Sequence, residues 1–251
     1  MPVRLERDGS IAWVVVDRVE KGNSLDYEHA RALADAVAAA CRDPGVRLVA
    51  LRGAGDRFFS TGVDLESVAN IRGEADAELL MMHGLGGVCE AVSECLKPVV
   101  AAVNGHAVGI GFELVVASDM AWAVRWAKLG SPAAKWGMVP PATTTIAPWI
   151  VGYKQAAYIV LTGRLVSAEE AYRMGFLNGV VDSVDELVET VKSVARDVEK
   201  LDPWAVAMAK RLLREARPRL IVERGLQALT LSASRPEAAE RAKGFMEGRG
   251  R

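Results

Sequence analysis

Apolar and polar residues alternate at the start of the chain and then change to a helical period. Residues 3–7 and 11–17 both alternate and are separated by Asp8-Gly9, a pair typical of a tight turn, so the sequence predicts a β-hairpin. Residues 26–42 instead carry apolar side chains three or four positions apart, which predicts a helix with one buried face. The side chains on that face are Ala30, Leu33, Val37 and Ala40.

Short apolar runs at 46–53 and 97–103 predict buried strands. A helix is expected over 76–95, although the glycines within it weaken the pattern. Strands, turns and helices alternate in this way to about residue 182, which favours βαβ units with right-handed crossovers. The fold class predicted from this order is α/β.

The last part of the chain is predicted to be helical throughout. The predicted helices cover 185–200, 203–215, 219–232 and 236–247. No low-complexity linker separates them from the preceding residues. We therefore divide the chain into a core, residues 1–184, and a C-terminal helical region, residues 185–251.

Two of the predicted strands lead through a glycine-containing turn to the start of a helix. The run 46–53 is followed by a turn around Gly62, and the run 97–103 by a turn around Gly109. The first N–H groups of a helix have no intrahelical acceptor, and such groups stabilise an oxyanion that lies within hydrogen-bond distance. Two amides from separate strand ends, one of them that of Val63, can converge on one carbonyl oxygen.

Glu113 is the candidate for acid–base chemistry. It follows the second turn and lies between Phe112 and Leu114 in a predicted apolar helix. A carboxylate is costly to bury in such surroundings without a partner or a raised pKa, and this cost indicates a function. The alternative is a glutamate that faces solvent or pairs with an arginine.

Composition excludes several classes of protein. Hydrophobic residues make up 51% of the 251 residues, yet no run is long enough to span a bilayer, and the charged N-terminus does not resemble a signal peptide. A formal net charge of −1 gives no reason to expect a nucleic-acid partner, and no His/Cys cluster indicates a metal site. The three cysteines form no CxxC pair, so we expect reduced thiols and a cytoplasmic protein. Because no apolar run is long enough to span a bilayer, we expect no membrane partner.

Taken together, these segments resemble the crotonase (enoyl-CoA hydratase/isomerase) superfamily nearly from end to end. The matching segments are Asn23-Ser24-Leu25, 59–65, 97–105, Gly130-Ser131-Pro132, 161–164 and 168–171. Several matches in the same order are far more specific than any single glycine motif. The resemblance implies a ββα spiral core with a C-terminal helical region that supports trimers, and therefore a homotrimer or homohexamer.

The resemblance also implies an acyl-CoA thioester as the substrate, with coenzyme A entering as part of it and with no separate cofactor. Family members hold the enolate oxygen with two backbone amides, which by position are those of Val63 and Ile110. Glu113 aligns with one of the two glutamates that enoyl-CoA hydratases use. The second is usual directly after Pro132, where this chain has Ala133.

Further residues are assigned to substrate or CoA binding by the same resemblance. Lys21 and Arg57 are candidates for the CoA phosphates, with a solvated surface charge as the alternative for each. His106 is a candidate acyl contact or auxiliary acid, with a packed histidine as the alternative. The other assigned residues are Asn23, Thr61, Asp64, Leu65, Gly109, Pro132 and Ala133.

The alanine at position 133 divides the candidate functions. Hydration needs one group to activate water and another to protonate carbon, whereas isomerisation needs a single base. Decarboxylation of a malonyl-type thioester chiefly needs the oxyanion site, so the single glutamate favours isomerisation or decarboxylation over hydration. A non-catalytic crotonase-fold protein that binds acyl-CoA or RNA is the alternative from another class. The hydroxyls of 143–145 could orient a water or a polar acyl group, or cap the helix before Ile146.

Overall fold

The computed structural model describes residues 3–216 and 219–248, including every side chain except those of 219–222. Its strands form a six-stranded sheet and a four-stranded sheet. The strands are β1 (Val3–Asp8), β2 (Ile11–Val16), β3 (Leu48–Gly53), β4 (Phe58–Ser60), β5 (Val99–Val103), β6 (His106–Val108), β7 (Met120–Val124), β8 (Lys128–Gly130), β9 (Val166–Ser167) and β10 (Gly179–Val181).

Helices surround both sheets. The α-helices are α1 (Tyr27–Arg42), α2 (Leu65–Ala69), α3 (Glu74–Ala77), α4 (Gly87–Glu94), α5 (Ile110–Ala117), α6 (Pro141–Thr145), α7 (Ala147–Val151), α8 (Tyr153–Thr162), α9 (Ala168–Met174), α10 (Val184–Glu199), α11 (Pro203–Glu215), α12 (Arg219–Ala233) and α13 (Pro236–Met246). A π-helix covers Glu78–Gly86, and two 3-10 helices cover Val19–Lys21 and Ala133–Trp136. Across the described ranges, no helix is both long and apolar enough to cross a membrane.

A repeated ββα unit generates the core. In each repeat the first strand joins the large sheet, ordered β1-β2-β3-β5-β7-β10, and the second joins the small sheet, ordered β4-β6-β8-β9. β3 and β4 precede α2, β5 and β6 precede α5, and β7 and β8 precede the second 3-10 helix. The central strands pair in parallel, and β5, which contacts α5 and α10, is buried along its whole length. The predicted α/β core with a helical C-terminal region is confirmed.

Most of the elements predicted from the sequence have observed bounds within two residues of the predicted ones. The hairpin forms with Asp8 opposite Ile11, and α1 begins after Asp26, whose carboxylate accepts the His29 N–H. The expected single helix over 76–95 is wrong in detail, because the π-helix interrupts it between α3 and α4. The extra residue in each π-turn widens this helix where it faces the interior cavity described below.

The helices that follow residue 184 pack onto the core at several places. α10 lies against the large sheet, contacting β3, β5, β7 and β10. α12 contacts α6 and the π-helix, and α13 contacts α2. These contacts bring the end of the chain close to the turns around Gly62 and Gly109. The domain boundary at 184/185 stays a prediction.

The expectation of three reduced thiols is wrong for two of the cysteines. Cys41, near the end of α1, and Cys95, which follows α4, have Cα atoms 5.6 Å apart and form a disulfide, while Cys89 is free. The two cysteines are 54 positions apart in sequence, and only the packing of α1 on α4 brings them together. This disulfide removes the thiol argument for a cytoplasmic protein.

Thiol titration tests this disulfide. In denaturant without reductant, we expect one alkylated cysteine, Cys89, and three after reduction. A Cys41→Ser/Cys95→Ser double variant should lose about 2–4 kcal/mol of unfolding free energy, because it releases a long loop in the unfolded chain. Cys89→Ser is the matched control and should leave the disulfide intact. Three reactive thiols before reduction would contradict the assignment.

Candidate active site

A cavity of about 530 Å³ lies between the ββα core and the C-terminal helices. The residues that line it are mostly apolar, and its size suits a small-molecule ligand. The core supplies the turn 61–66, residues 108–110, Glu113 and much of the segment 131–141. The opposite wall comes from the π-helix and from α12 and α13.

The two glycine turns meet at the cavity wall. Gly62 has a φ of 113° and Gly109 a φ of 56°, both in the region that favours glycine. A Cβ placed on Gly62 would lie 3.2 Å from the Val108 carbonyl oxygen and 3.7 Å from the Ile110 amide nitrogen. A Cβ on Gly109 would lie 3.4 Å from the Gly62 Cα. The glycines therefore allow the two chain segments to touch, which places Val63 and Ile110 side by side.

The amides of Val63 and Ile110 are free of partners within residues 3–216 and 219–248. Leu25 holds the first turn, since its N–H donates to the Gly62 carbonyl at 2.9 Å and its carbonyl accepts the Asp64 N–H at 2.8 Å. This pairing uses the residues on either side of Val63. Ile110 is the first residue of α5, whose first intrahelical bond runs from the Glu113 N–H to the Gly109 carbonyl. Both residues line the cavity.

Glu113 lies in the first turn of α5 and is 2% exposed. Its Oε2 accepts the N–H groups of Ala142 at 2.5 Å and Thr143 at 3.0 Å, and its Oε1 accepts the Thr143 hydroxyl. Burial raises the pKa of Glu113 to about 7, and the hydrogen bonds from Thr143 and Ala142 limit the rise. The carboxyl group therefore exchanges a proton near neutral pH.

Glu113 differs from the other two carboxylates that line the cavity. Asp64 forms an ion pair with Arg18 at 2.9 Å and also caps α2. Glu66 is exposed and lies 3.5 Å from the Lys21 ammonium. No described cation pairs with Glu113. Its position and its pKa both fit a group that takes up and releases a proton.

Ala133 and Ser131 shape the wall beside Glu113. Ala133 begins the second 3-10 helix and presents only a methyl group to the cavity. The Ser131 hydroxyl is buried and makes no hydrogen bond with a described residue, although it lies close enough to Glu113 to favour the charged carboxylate. A buried hydroxyl without a partner among the described residues is unusual, and Ser131 is one of the residues that line the cavity.

Most of the residues assigned to binding from the sequence reach the cavity, and three do not. Those that line it are Lys21, Thr61, Asp64, Leu65, Gly109, Pro132 and Ala133. Asn23 is 1% exposed, and its side chain donates to the carbonyls of Ala54 and Phe58 instead. It holds the turn before β4 together, so the binding role predicted for Asn23 is not supported by its position.

Arg57 and His106 form a separate cluster outside the cavity lining. The Arg57 guanidinium lies 4.9 Å from the centre of the Phe58 ring, which also packs edge-on against His106. His106 Nδ1 accepts the Lys128 N–H at 3.0 Å. Burial, followed by the charges of Arg57 and Lys128, lowers the pKa of His106. The packed-histidine alternative therefore describes His106 better than a role as auxiliary acid.

The sequence did not identify the far wall of the cavity. Met81 and Leu85 come from the π-helix, while Leu229, Phe245 and Met246 come from α12 and the end of α13. The Phe245 ring packs edge-on against Trp136 at 4.8 Å. The apolar stripes of these helices were visible in the sequence, but nothing in them indicated which surface they would cover.

The fold agrees with comparisons against known proteins. The model of the enoyl-CoA hydratase/isomerase family matches residues 6–249. The carnitinyl-CoA dehydratase of Salmonella arizonae is 37% identical over 222 residues, which cover 88% of this chain and 83% of that protein.

Solved structures give the same result. An enoyl-CoA hydratase from Bacillus halodurans superposes with a TM-score of 0.87 at 27% identity, over 97% of this chain and 100% of that one. A carnitinyl-CoA hydratase from Mycobacterium avium superposes with a TM-score of 0.85 at 30% identity, over 99% of this chain and 97% of that one. The chain therefore belongs to the enoyl-CoA hydratase/isomerase family, the crotonase superfamily.

Proposed function

We propose that this acyl-CoA enzyme of hydratase/isomerase type uses Glu113 as its single acid/base and the amides of Val63 and Ile110 as its oxyanion hole. The observation that carries the proposal is a buried carboxylate that lies in a cavity with two amides, where neither the carboxylate has a cation partner nor the amides a hydrogen-bond partner among residues 3–216 and 219–248. The favoured reaction is isomerisation of a 3-enoyl thioester to the 2-enoyl thioester.

The reaction begins when the thioester oxygen accepts hydrogen bonds from Val63 and Ile110. Ionised Glu113 removes a proton from C2, and the C–H electrons move into an enolate whose negative charge lies on that oxygen. Preorganised donors of this kind are each worth about 3–4 kcal/mol of transition-state stabilisation. Glu113 then returns the proton to C4, the double bond moves to C2–C3, and the enzyme regains its starting state.

Ala133 supports this choice over hydration. Its methyl group can neither activate a water nor protonate carbon. Isomerisation asks for one group that is first a base and then an acid. A carboxyl group with a pKa of about 7 suits both halves of that task at neutral pH.

Dehydration of a 3-hydroxyacyl thioester, or its reversal, is the second candidate. Two relatives are named as a carnitinyl-CoA dehydratase and a carnitinyl-CoA hydratase. The buried Ser131 hydroxyl favours this candidate, since it has no described partner and could hold the departing oxygen. Glu113 would then take the C2 proton and deliver it to that oxygen, releasing water.

The remaining alternatives fit less well. A malonyl-type substrate would place its carboxylate near ionised Glu113, which would repel it. A non-catalytic binding protein would have no need to bury a cation-free carboxylate beside two unpartnered amides.

For the nucleotide end of the substrate, we propose Lys21, a cation that lines the cavity.

For assembly, we propose a homotrimer or homohexamer. Large exposed apolar side chains support it, among them Trp149, Tyr153, Leu161, Trp204 and Leu213.

Substrate comparison with a Glu113 variant tests the proposed reaction. Among 3-hexenoyl-CoA, crotonyl-CoA and methylmalonyl-CoA, we expect 3-hexenoyl-CoA to react fastest. Glu113→Gln should lower kcat at least about a hundredfold and leave KM nearly unchanged, because only proton transfer is lost. Glu66→Gln, which removes an exposed carboxylate at the same cavity, is the matched control and should keep its activity. Near-normal turnover by Glu113→Gln would contradict the proposal.

The pH dependence of the wild type gives a second readout. The free enzyme must hold Glu113 ionised to remove the first proton, so kcat/KM should fall as the pH drops below about 7. A profile that is flat from pH 5 to pH 8 would contradict an ionised Glu113 as the base.

Glu113 also has a measurable cost in stability. Its pKa is raised from 4.5 to about 7, so the folded state holds the proton more tightly than the unfolded state does. The unfolding free energy of the wild type should therefore fall as the pH rises from 4.5 to about 7, and should level off above pH 7. In urea melts, the unfolding free energy of Glu113→Gln minus that of the wild type should increase by about 2–3 kcal/mol as the pH is raised from 5 to 8. A difference that does not change with pH would contradict the raised pKa.

A further inference from the structure

The two oxygens of the Glu113 carboxylate are held in different ways. Oε2 accepts two backbone N–H groups, from Ala142 and Thr143, and so uses both of its lone pairs. Oε1 accepts the Thr143 hydroxyl and has one lone pair left. The buried Ser131 hydroxyl lies near the carboxylate but does not reach hydrogen-bond geometry with either oxygen. Only Oε1 is therefore free to exchange a proton with a ligand in the cavity.

Thr143 is itself held firmly. It lies in α6, is completely buried, and follows Pro140-Pro141, whose rings fix the backbone before it. Threonine is branched at Cβ, so few χ1 rotamers are open to it. The Thr143 amide donates to one carboxylate oxygen of Glu113 and the Thr143 hydroxyl to the other, so this one residue fixes the orientation of the carboxylate.

None of the threonines in 143–145 caps a helix as the sequence suggested. Pro140 occupies the N-cap of α6 and provides no side-chain hydrogen bond. The Thr145 hydroxyl donates to the Pro141 carbonyl at 2.7 Å within its own helix. Thr143 and Thr145 thus carry the same buried group on one helix, but only that of Thr143 contacts Glu113.

We propose that Thr143 is a positioning residue for Glu113, and that its hydroxyl turns Oε1 to the acyl group so that this oxygen carries the proton. The inference rests on the proposed role of Glu113 as the acid/base. Without the Thr143 hydroxyl, Oε1 loses the donor that fixes its direction and stabilises its charge. The carboxylate then rotates more freely and binds a proton more tightly.

Isosteric variants test the proposal. Thr143→Val keeps the shape and backbone amide but removes the hydroxyl, while Thr145→Val removes an identical buried hydroxyl from the same helix. We expect Thr143→Val to lower kcat about tenfold to a hundredfold with little change in KM. The inflection of kcat/KM should move to higher pH, by about one pH unit, because a donor to the ionised carboxylate is gone.

Two controls and one replacement variant complete the comparison. Thr143→Ser retains the hydroxyl and should restore both kcat and the inflection. Thr145→Val should keep the wild-type inflection, even if it is less stable. Where Thr143→Val does not fold, Thr143→Cys, with its weaker donor, replaces it and should show the same shifts to a smaller degree.

The outcomes separate this proposal from the proposed function. A Thr143→Val protein with wild-type kcat and inflection, beside an inactive Glu113→Gln protein, would overturn the role of Thr143 alone. Equal shifts in Thr143→Val and Thr145→Val would also overturn it, since a general loss of packing would then explain both. An active Glu113→Gln protein would instead overturn the role of Glu113.

Discussion

The site depends on the burial of one carboxylate that has no counter-charge in the part of the chain that the structure describes. Glu113 is surrounded by the apolar residues of α5, and ionising it there would be prohibitively costly without donors. α6 supplies them, through two amides and one hydroxyl directed at the two oxygens. Burial and hydrogen bonding oppose each other, and the balance leaves the pKa of Glu113 at about 7.

The rest of the core places the two glycine turns and that carboxylate around one cavity. Because β4 and β6 pair in parallel in the small sheet, the two strands end at the same edge of that sheet. The glycine turns that follow these strands touch each other, and the residues after the glycines, Val63 and Ile110, both line the cavity. Because α5 begins at Ile110 and carries Glu113 one turn later, the amide and the carboxyl group are fixed relative to each other by a single helix.

Sequence reasoning succeeded where the signal was local. The bounds of α11, Pro203–Glu215, were predicted to the residue, because an N-cap aspartate and an N1 proline mark its start. The burial of Glu113 and both glycine turns were also evident, since each depends on neighbours within a few positions. A run of apolar residues around a single carboxylate indicates its environment before any tertiary contact is known.

Features that depend on contacts between distant segments were missed. The Cys41–Cys95 disulfide needs α1 against α4, and the far wall of the cavity needs α12 and α13 folded back over the core. The surroundings of Asn23 could not be predicted for the same reason, because its hydrogen-bond partners come from a turn more than thirty residues away. Thr143 was noticed only as one of three hydroxyls, and the sequence could not indicate which of them meets Glu113.

Transfer of an isotopic label tests most directly whether one shielded carboxyl group carries the proton. A 3-enoyl-CoA deuterated at C2 would be converted in a single turnover in ordinary water, and the product analysed by NMR. Glu113 is 2% exposed, so the deuteron it removes should be returned to C4 of the same molecule in a large share of the product before it exchanges with solvent. Product that carries only solvent hydrogen at C4 would contradict a single buried acid/base.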